Sequence, residues 1–528
     1  MSCKIRKHAV LVIFYLIFPL LVATTLECAE LPSAYDLRDA GGHCYITPVK
    51  SQIVPGEWWN CVGICWACSS LASFESSLLK QGIVSGPDSH EANLSPWYLG
   101  CYIGYNHPNY EFNDTLVGDP PVPISYQLDS TMQYGYAGSP LYTVDYLGTG
   151  KGLVPEYLAP VPIEQMRLHE TLEKPEEDLP SCYMLRAGLV YERQDYDSDE
   201  EYRRAIKNAV MQHGALASGM YLCPADFPGQ EGESYYRDDD YTDYYCDDPE
   251  KTDTLVHMVT IAGWDDDKVI EGAPNQGAWL IKDSMGVGMH DQGYLWISYD
   301  DTVFLKGHSY ALSCVADSGE GYSRRRYMTS PRTLCEPVTG ASMYESDGFG
   351  RLGLDSWGCA RFTAWADGDI RAVGLITVNS GEQITVNVFR GWNETRQEPV
   401  TLLHSEEITV EEHGYHVIDL SHSVRLEKDR EYVIALGFAS NPEADREPLV
   451  YVTDLEPSSR DIRTYWASAD TGNGPDNWVE YNDERENAVI YMECIMEEET
   501  GGRAGCNAGA YPFSLLLPLA LLLAASRF

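Results

Sequence analysis

Cys65 stands at the head of a segment that reads as a largely buried helix. In CWACSSLASFESSLLKQG, Ala67, Leu71, Phe74 and Leu78 recur at steps of three and four, and Gly82 ends the run as a C-cap does. A thiol at a helix N-terminus lies beside unpaired backbone N–H groups and the positive end of the helix dipole, both of which favour thiolate. A core or disulfide cysteine is the commoner use of this residue in an exported chain. Its companions argue for chemistry instead. Gln52 lies upstream with an amide able to face an oxyanion, and two later segments supply a histidine and a carboxylate in the order that nucleophilic catalysis uses.

The first of these, TLVHMVTIAGWDDD, sets His257 among Leu255, Val256, Met258 and Val259, the pattern of a buried strand. The second, GAWLIKDSMGVGMHDQGYLWISYDD, ends the strand AWLIK at Asp283 and continues through a glycine-rich turn into another strand. Taken singly, His257 reads as a core histidine and Asp283 as a turn residue.

Together with LPSAYDLRD and TPVKSQ near the start, the fragments CVGICWACS, HMVTIAGWDDD and WLIKDSMG resemble the papain-like cysteine peptidases, over roughly residues 31–315. The resemblance implies an α+β domain of two lobes, one helical and one a β-barrel. It implies Cys65 as nucleophile, His257 as base and acid, Asp283 in the place of the family's orienting asparagine, and Gln52 as oxyanion donor. Gly138, Leu255 and Met258 would border the substrate cleft; for Met258, plain core packing is equally open. Neither a cofactor nor a metal is implied. The chemistry is acyl transfer: thiolate attack on a peptide carbonyl, an oxyanion held by the Cys65 N–H and the Gln52 amide, and protonation of the leaving amine by His257.

The chain departs from that pattern in several places. An amide orients imidazole without charge, whereas the carboxylate of Asp283 also stabilises the imidazolium. Met285 replaces the tryptophan that shields the orienting residue, and the usual W-G-x-x-W-G has become MGVGMHDQG, so Asp283 is expected to be wetter than its counterpart. Gln52 precedes Cys65 by thirteen positions, about seven more than usual, with PGEWWN looped out. His257 follows Cys65 by 192 positions, beyond the roughly 130–150 of the signature, so the domain carries insertions. Cys61 with Cys101 resembles the family's bridge near the nucleophile, and Cys223 with Cys246 would close a local loop; connectivity is open from sequence. Cys65 and Cys68 form a CxxC, but no thioredoxin-like unit surrounds it.

Two other functional classes use the same residues. A transglutaminase-like acyltransferase also employs Cys, His and Asp in this order, and a non-catalytic surface binding protein would result if the altered turn collapsed the site.

The formal charge of −43 at pH 7 opposes nucleic-acid binding, which depends on neutralising phosphates. Lys4, Arg6 and Lys7 precede AVLVIFYLIFPLLVATT, so residues 1–29 read as a signal peptide and the protein as exported. The peptidase domain is expected over 30–325, starting too soon after the signal for a large inhibitory propeptide. The segment PADFPGQEGESYYRDDDYTDYY reads as a solvated acidic insertion, with calcium binding through Asp238, Asp239 and Asp240 as the alternative. SDEEYRRAIKNAVMQH reads as an amphipathic helix with Ala205, Ile206, Ala209 and Val210 on one face.

From about residue 326 the pattern changes to alternating strands such as QITVNVFRG, where Ile384, Val386 and Val388 face one side. An antiparallel β-sandwich is expected over 326–498. It resembles the lectin-like domain appended to some bacterial and archaeal papain-like peptidases, a glycan or surface-protein binder if Trp392, Trp466 or Trp478 is exposed; a buried aromatic is the better expectation for each. Residues 499–528, with Cys506 before an apolar run of about fifteen residues and a terminal arginine, resemble a bacterial sorting signal, with a plain membrane anchor as the alternative. The expected partners are thus a polypeptide substrate, a glycan or surface protein, and the envelope.

Overall fold

A computed structural model describes most of residues 31–102, 139–314 and 355–439, with shorter strands at 116–117, 122–123, 324–328, 451–453, 463–469, 479–480, 488–490 and 493–498. The expected signal peptide and C-terminal signal, Gly138 and Leu255 lie outside the described residues. No helix among the described residues is long and apolar enough to cross a membrane.

Helix α1 (Cys65–Lys80) forms where the periodicity places it, and every residue from Trp66 to Leu79 is buried. The Gly82 N–H bonds to the Leu79 carbonyl and the Ile83 N–H to the Leu78 carbonyl, and Gly82 takes φ 67, the left-handed turn that glycine allows. Trp66, Leu71, Phe74 and Leu78 meet Trp97, Leu99 and Leu147 in the core of the helical lobe. The residues PGEWWN fold out as a two-stranded hairpin, Ile53–Val54 against Glu57–Cys61, turning at Gly56.

The second lobe is a sheet wrapped by helix α2 (Asp199–His213). Ser198 caps α2 by accepting from the Glu201 N–H, three acidic residues fill its first turn, and Ile206, Ala209 and Val210 face the sheet. The strands are β1 (Leu185–Glu192), β2 (Leu216–Met220), β3 (His257–Asp265), β4 (Ala278–Lys282), β5 (Tyr294–Ser298) and β6 (His308–Cys314). Their spatial order is β1-β6-β2-β3-β4-β5, antiparallel throughout. Thr260 pairs with Lys282 across β3 and β4. The N-terminal end of β3 and the C-terminal end of β4 therefore lie together, which brings two segments 26 residues apart to one edge of the lobe.

The remaining strands build the sandwich. One layer contains β7 (Asp355–Thr363), β9 (Glu382–Asn393), β10 (Glu398–Val410) and β12 (Glu431–Phe438) in the order β10-β9-β12-β7, continued by strands at 463–469 and 479–480. The other contains β8 (Gly368–Thr377), β11 (Gly414–Leu426) and β13 (Glu493–Glu498). Ile384, Val386 and Val388 point into the core between them, as their alternation requires.

The second layer does not stop at the domain edge. Gly414, Tyr415 and His416 of β11 pair with Leu189, Gly188 and Ala187 of β1, so one twelve-stranded sheet among the described residues runs from the second lobe into the sandwich. The helical-lobe core continues with it, since Ala372, Ile376, Tyr415, Val417 and Ile495 pack in the same cluster as Trp66 and Phe74. Gly414 sits at the crossing with φ 134, and a Cβ there would meet the Gly188 carbonyl oxygen at 2.3 Å.

Candidate active site

Cys65 is the first residue of α1, partly exposed, with Ile64 at the N-cap and no side chain capping the helix. Burial pushes its thiol up, but a hydrogen bond and the charge of His257, joined by backbone bonds at Met258 and Trp66, outweigh burial and lower its pKa. His257 opens β3 and is 6% exposed. Its Nε2 lies 2.8 Å from Asp283 Oδ1, which leaves Nδ1 for the sulfur. Burial pulls His257 down, yet the Asp283 charge and hydrogen bond and the contact with Cys65 carry it up to about 10. Asp283 is pushed up by burial and pulled well below the usual carboxylate range by His257 and then His290. Cys65, His257 and Asp283, read from three distant segments, thus form one connected chain.

Gln52 is buried beside them. Its backbone N–H donates to the Ser284 carbonyl at 2.9 Å and its carbonyl accepts the Val62 N–H at 2.9 Å, so it ties the Asp283 turn to the loop that leads into Cys65. Its side-chain Oε1 finds no partner among the described residues. Met258 is half-buried and lines a small cavity with Cys68, Ser69, Ala72, Thr260 and Asp283, against the helical-lobe core.

The expectation of a wet Asp283 is corrected: it is 4% exposed. Oδ1 also accepts the Ser284 N–H at 2.7 Å, and Oδ2 lies 3.0 Å from His290 Nε2. His290 is itself buried, with Nδ1 2.6 Å from the Tyr241 carbonyl and its ring 5.6 Å from that of Tyr236. The acidic insertion, read as solvated, supplies both tyrosines and so covers the site. His290 was not singled out from sequence; its one signal is a histidine in the glycine-rich turn. It adopts φ 54, a backbone region that costs an ordinary side chain roughly 1–2 kcal/mol.

In the acidic insertion the Asp238 carboxylate is engaged by its own turn. Asp238 accepts from the Thr242 N–H at 2.8 Å, the Asp243 N–H at 3.0 Å and the Thr242 hydroxyl. Among the described residues no three His, Cys, Asp or Glu side chains converge to hold a metal ion. The two suggested disulfides are not formed, because Cys61 and Cys246 are free thiols. Burial, with the nearby charges of Cys65 and Asp283, pushes Cys61 up to about 12, so at neutral pH it stays a thiol. Cys68 is buried and its pKa is raised too, mainly by burial. In the sandwich, Trp392 and Trp478 are buried with Trp357, Cys359 and Val433, and present no surface platform.

Beneath α1 lies a buried charge cluster. Lys50 Nζ meets Glu75 at 3.1 Å and Glu156 at 2.7 Å, Thr47 donates to Glu75, and Lys282 Nζ donates to Thr47 at 3.1 Å. It joins the segment before Gln52, α1 and the strand that ends at Asp283.

Residues 343–475 match the lectin-like domain family. The clostridial cysteine protease Cwp84, in a form after propeptide cleavage, superposes with a TM-score of 0.62 at 19% identity, covering 88% of this chain and 100% of the other. The cysteine protease and lectin-like domains of Cwp84, a surface layer associated protein of Clostridium difficile, give a TM-score of 0.60 at 20% identity, covering 89% of each chain. Cathepsin 7 of Rattus norvegicus is 24% identical over 289 residues, 54% of this chain; the chain spans 66% of that relative's length. In fold, the chain is thus similar to a cysteine protease carrying a lectin-like domain, and its sequence is similar to that of a cathepsin.

Proposed function

We propose that the protein is an exported cysteine endopeptidase. The Cys65 thiolate attacks a peptide carbonyl, the tetrahedral oxyanion takes hydrogen bonds from the Cys65 N–H and the Gln52 amide, and His257 protonates the leaving amine. Water, deprotonated by His257, then releases the acyl-enzyme. Asp283 keeps Nε2 of His257 occupied so that Nδ1 faces sulfur. One observation carries the reading: the 2.8 Å contact between His257 and Asp283, with Cys65 bonded to the same imidazole.

Leu255, Met258 and Gly138 are assigned to the substrate cleft, and the domain limits 30–325 and 326–498 follow from the change in pattern. Similarity to a protein described as surface layer associated supports placement at the cell surface, with residues 499–528 as the tether and the sandwich facing a glycan or surface protein. Incubating the mature protein with an epoxide inactivator of cysteine peptidases and mapping the labelled thiol tests the centre of the reading. Modification of Cys65 with loss of peptide hydrolysis is expected; full hydrolysis by Cys65→Ala would overturn it.

A further inference from the structure

His290 offers an inference that rests on the peptidase reading and deepens it. Both of its ring nitrogens face oxygen atoms that accept hydrogen bonds: the Tyr241 carbonyl at 2.6 Å and Asp283 Oδ2 at 3.0 Å. Asp283 thus has three partners, His257 and the Ser284 N–H on Oδ1 and His290 on Oδ2, and the Tyr236 ring packs beside His290 with 5.6 Å between centroids.

We infer that His290 is a positioning residue that holds Asp283 by its second oxygen, so that the carboxylate keeps the orientation in which it meets His257. A hydrogen bond to Oδ2 also draws charge from the carboxylate and weakens its hold on the His257 proton, which favours His257 as a general acid. The left-handed backbone of His290 is the strain that this placement carries. Other charged groups near His290 are Asp291 beside it in the chain, Asp239 and Asp240 from the acidic insertion, Lys268 beyond β3, and Arg38; all five line an open pocket of about 680 Å³ next to it. His290 itself is 1% exposed at the side chain, so bulk solvent reaches it little.

A double-mutant cycle on the full-length protein tests this, with a fluorogenic dipeptide amide carrying an apolar penultimate residue as the probe. His290→Asn keeps a side chain that tolerates the left-handed backbone and removes the ring that reaches Asp283 Oδ2. It is expected to lower kcat at least about tenfold with little change in KM, and to move the alkaline limb of the pH profile upward, because Asp283 without the bond to Oδ2 holds the His257 proton more tightly. In an Asp283→Asn background the same substitution is expected to cost less than about twofold and to leave the limb in place. An equal loss in both backgrounds with an unmoved limb would overturn the inference. Epoxide titration of Cys65 counts the folded sites in each variant; should His290→Asn misfold, His290→Gly, which relaxes the backbone, repeats the arm. Activity surviving in Cys65→Ala would instead remove the peptidase reading, so the two failures are distinct.

Discussion

Asp283 meets the His257 imidazole at 2.8 Å through the same oxygen that accepts the backbone N–H of Ser284. The carboxylate is therefore fixed by its own turn before it orients anything. Asp283→Ala is expected to lower kcat by on the order of 10²-fold while KM changes little, because the lost group acts on the ring and not on bound substrate. Steady-state kinetics on a peptide amide check this.

The nucleophile's ionisation sets a second expectation. The Cys65 pKa is lowered and the His257 imidazolium persists up to about 10, so thiolate and imidazolium coexist in a window that opens below the ordinary thiol value and closes as His257 loses its proton. Alkylation of Cys65 by iodoacetamide should be rapid at neutral pH, whereas Cys61, pushed up to about 12, should react far more slowly. Mass spectrometry of partially labelled protein would show the reverse order if the ionisations were otherwise.

The buried cluster beneath α1 predicts a stability effect. Lys50→Met leaves the Glu75 carboxylate, fully buried, without its cation, and is expected to cost about 3–5 kcal/mol in urea unfolding. Replacing Lys50 and Glu75 together by apolar residues should cost much less than the single change.

In the sandwich, burial pushes Glu382 up to about 7 against the donated bond from Asn379. A folded-state value above the ordinary one means that this group favours folding below about 4.5, and that the benefit is lost as pH rises through 7. Glu382→Gln should raise the Tm at pH 8 relative to wild type and change it little at pH 4.

The crossing between the domains predicts that Gly414→Ala destabilises by about 1–3 kcal/mol, since φ 134 and the carbonyl 2.3 Å from the added carbon leave no room for it. Thermal unfolding should show one transition lowered as a whole, not the sandwich alone.

What the sequence disclosed follows physical range. Cys65 at its helix start, His257 on its strand and Asp283 at its strand end were legible because local periodicity and turn residues place them. The core alternation of Ile384, Val386 and Val388 was legible for the same reason. Strand β10 was not read, because at the edge of its layer most of its residues lie in solvent, Val400 and Leu402 among them, so burial imposes no alternation on it. Strand β7 was missed where Gly358 and Arg361 interrupt the alternation. His290 acts through a carbonyl 49 residues earlier, and the burial of Asp283 depends on that insertion folding back; neither is encoded in neighbouring residues. The pairing of β11 with β1 joins segments more than two hundred residues apart, beyond any periodic signal.

That junction bears on how the molecule can be divided. Since β11 supplies the neighbour of β1, a truncation after residue 325 would strip one flank of the second lobe of its ladder and take Ala372, Ile376, Tyr415, Val417 and Ile495 out of the helical-lobe core. Such a fragment would present a raw, sticky border to its own kind, so the smallest soluble unit of this protein spans both halves.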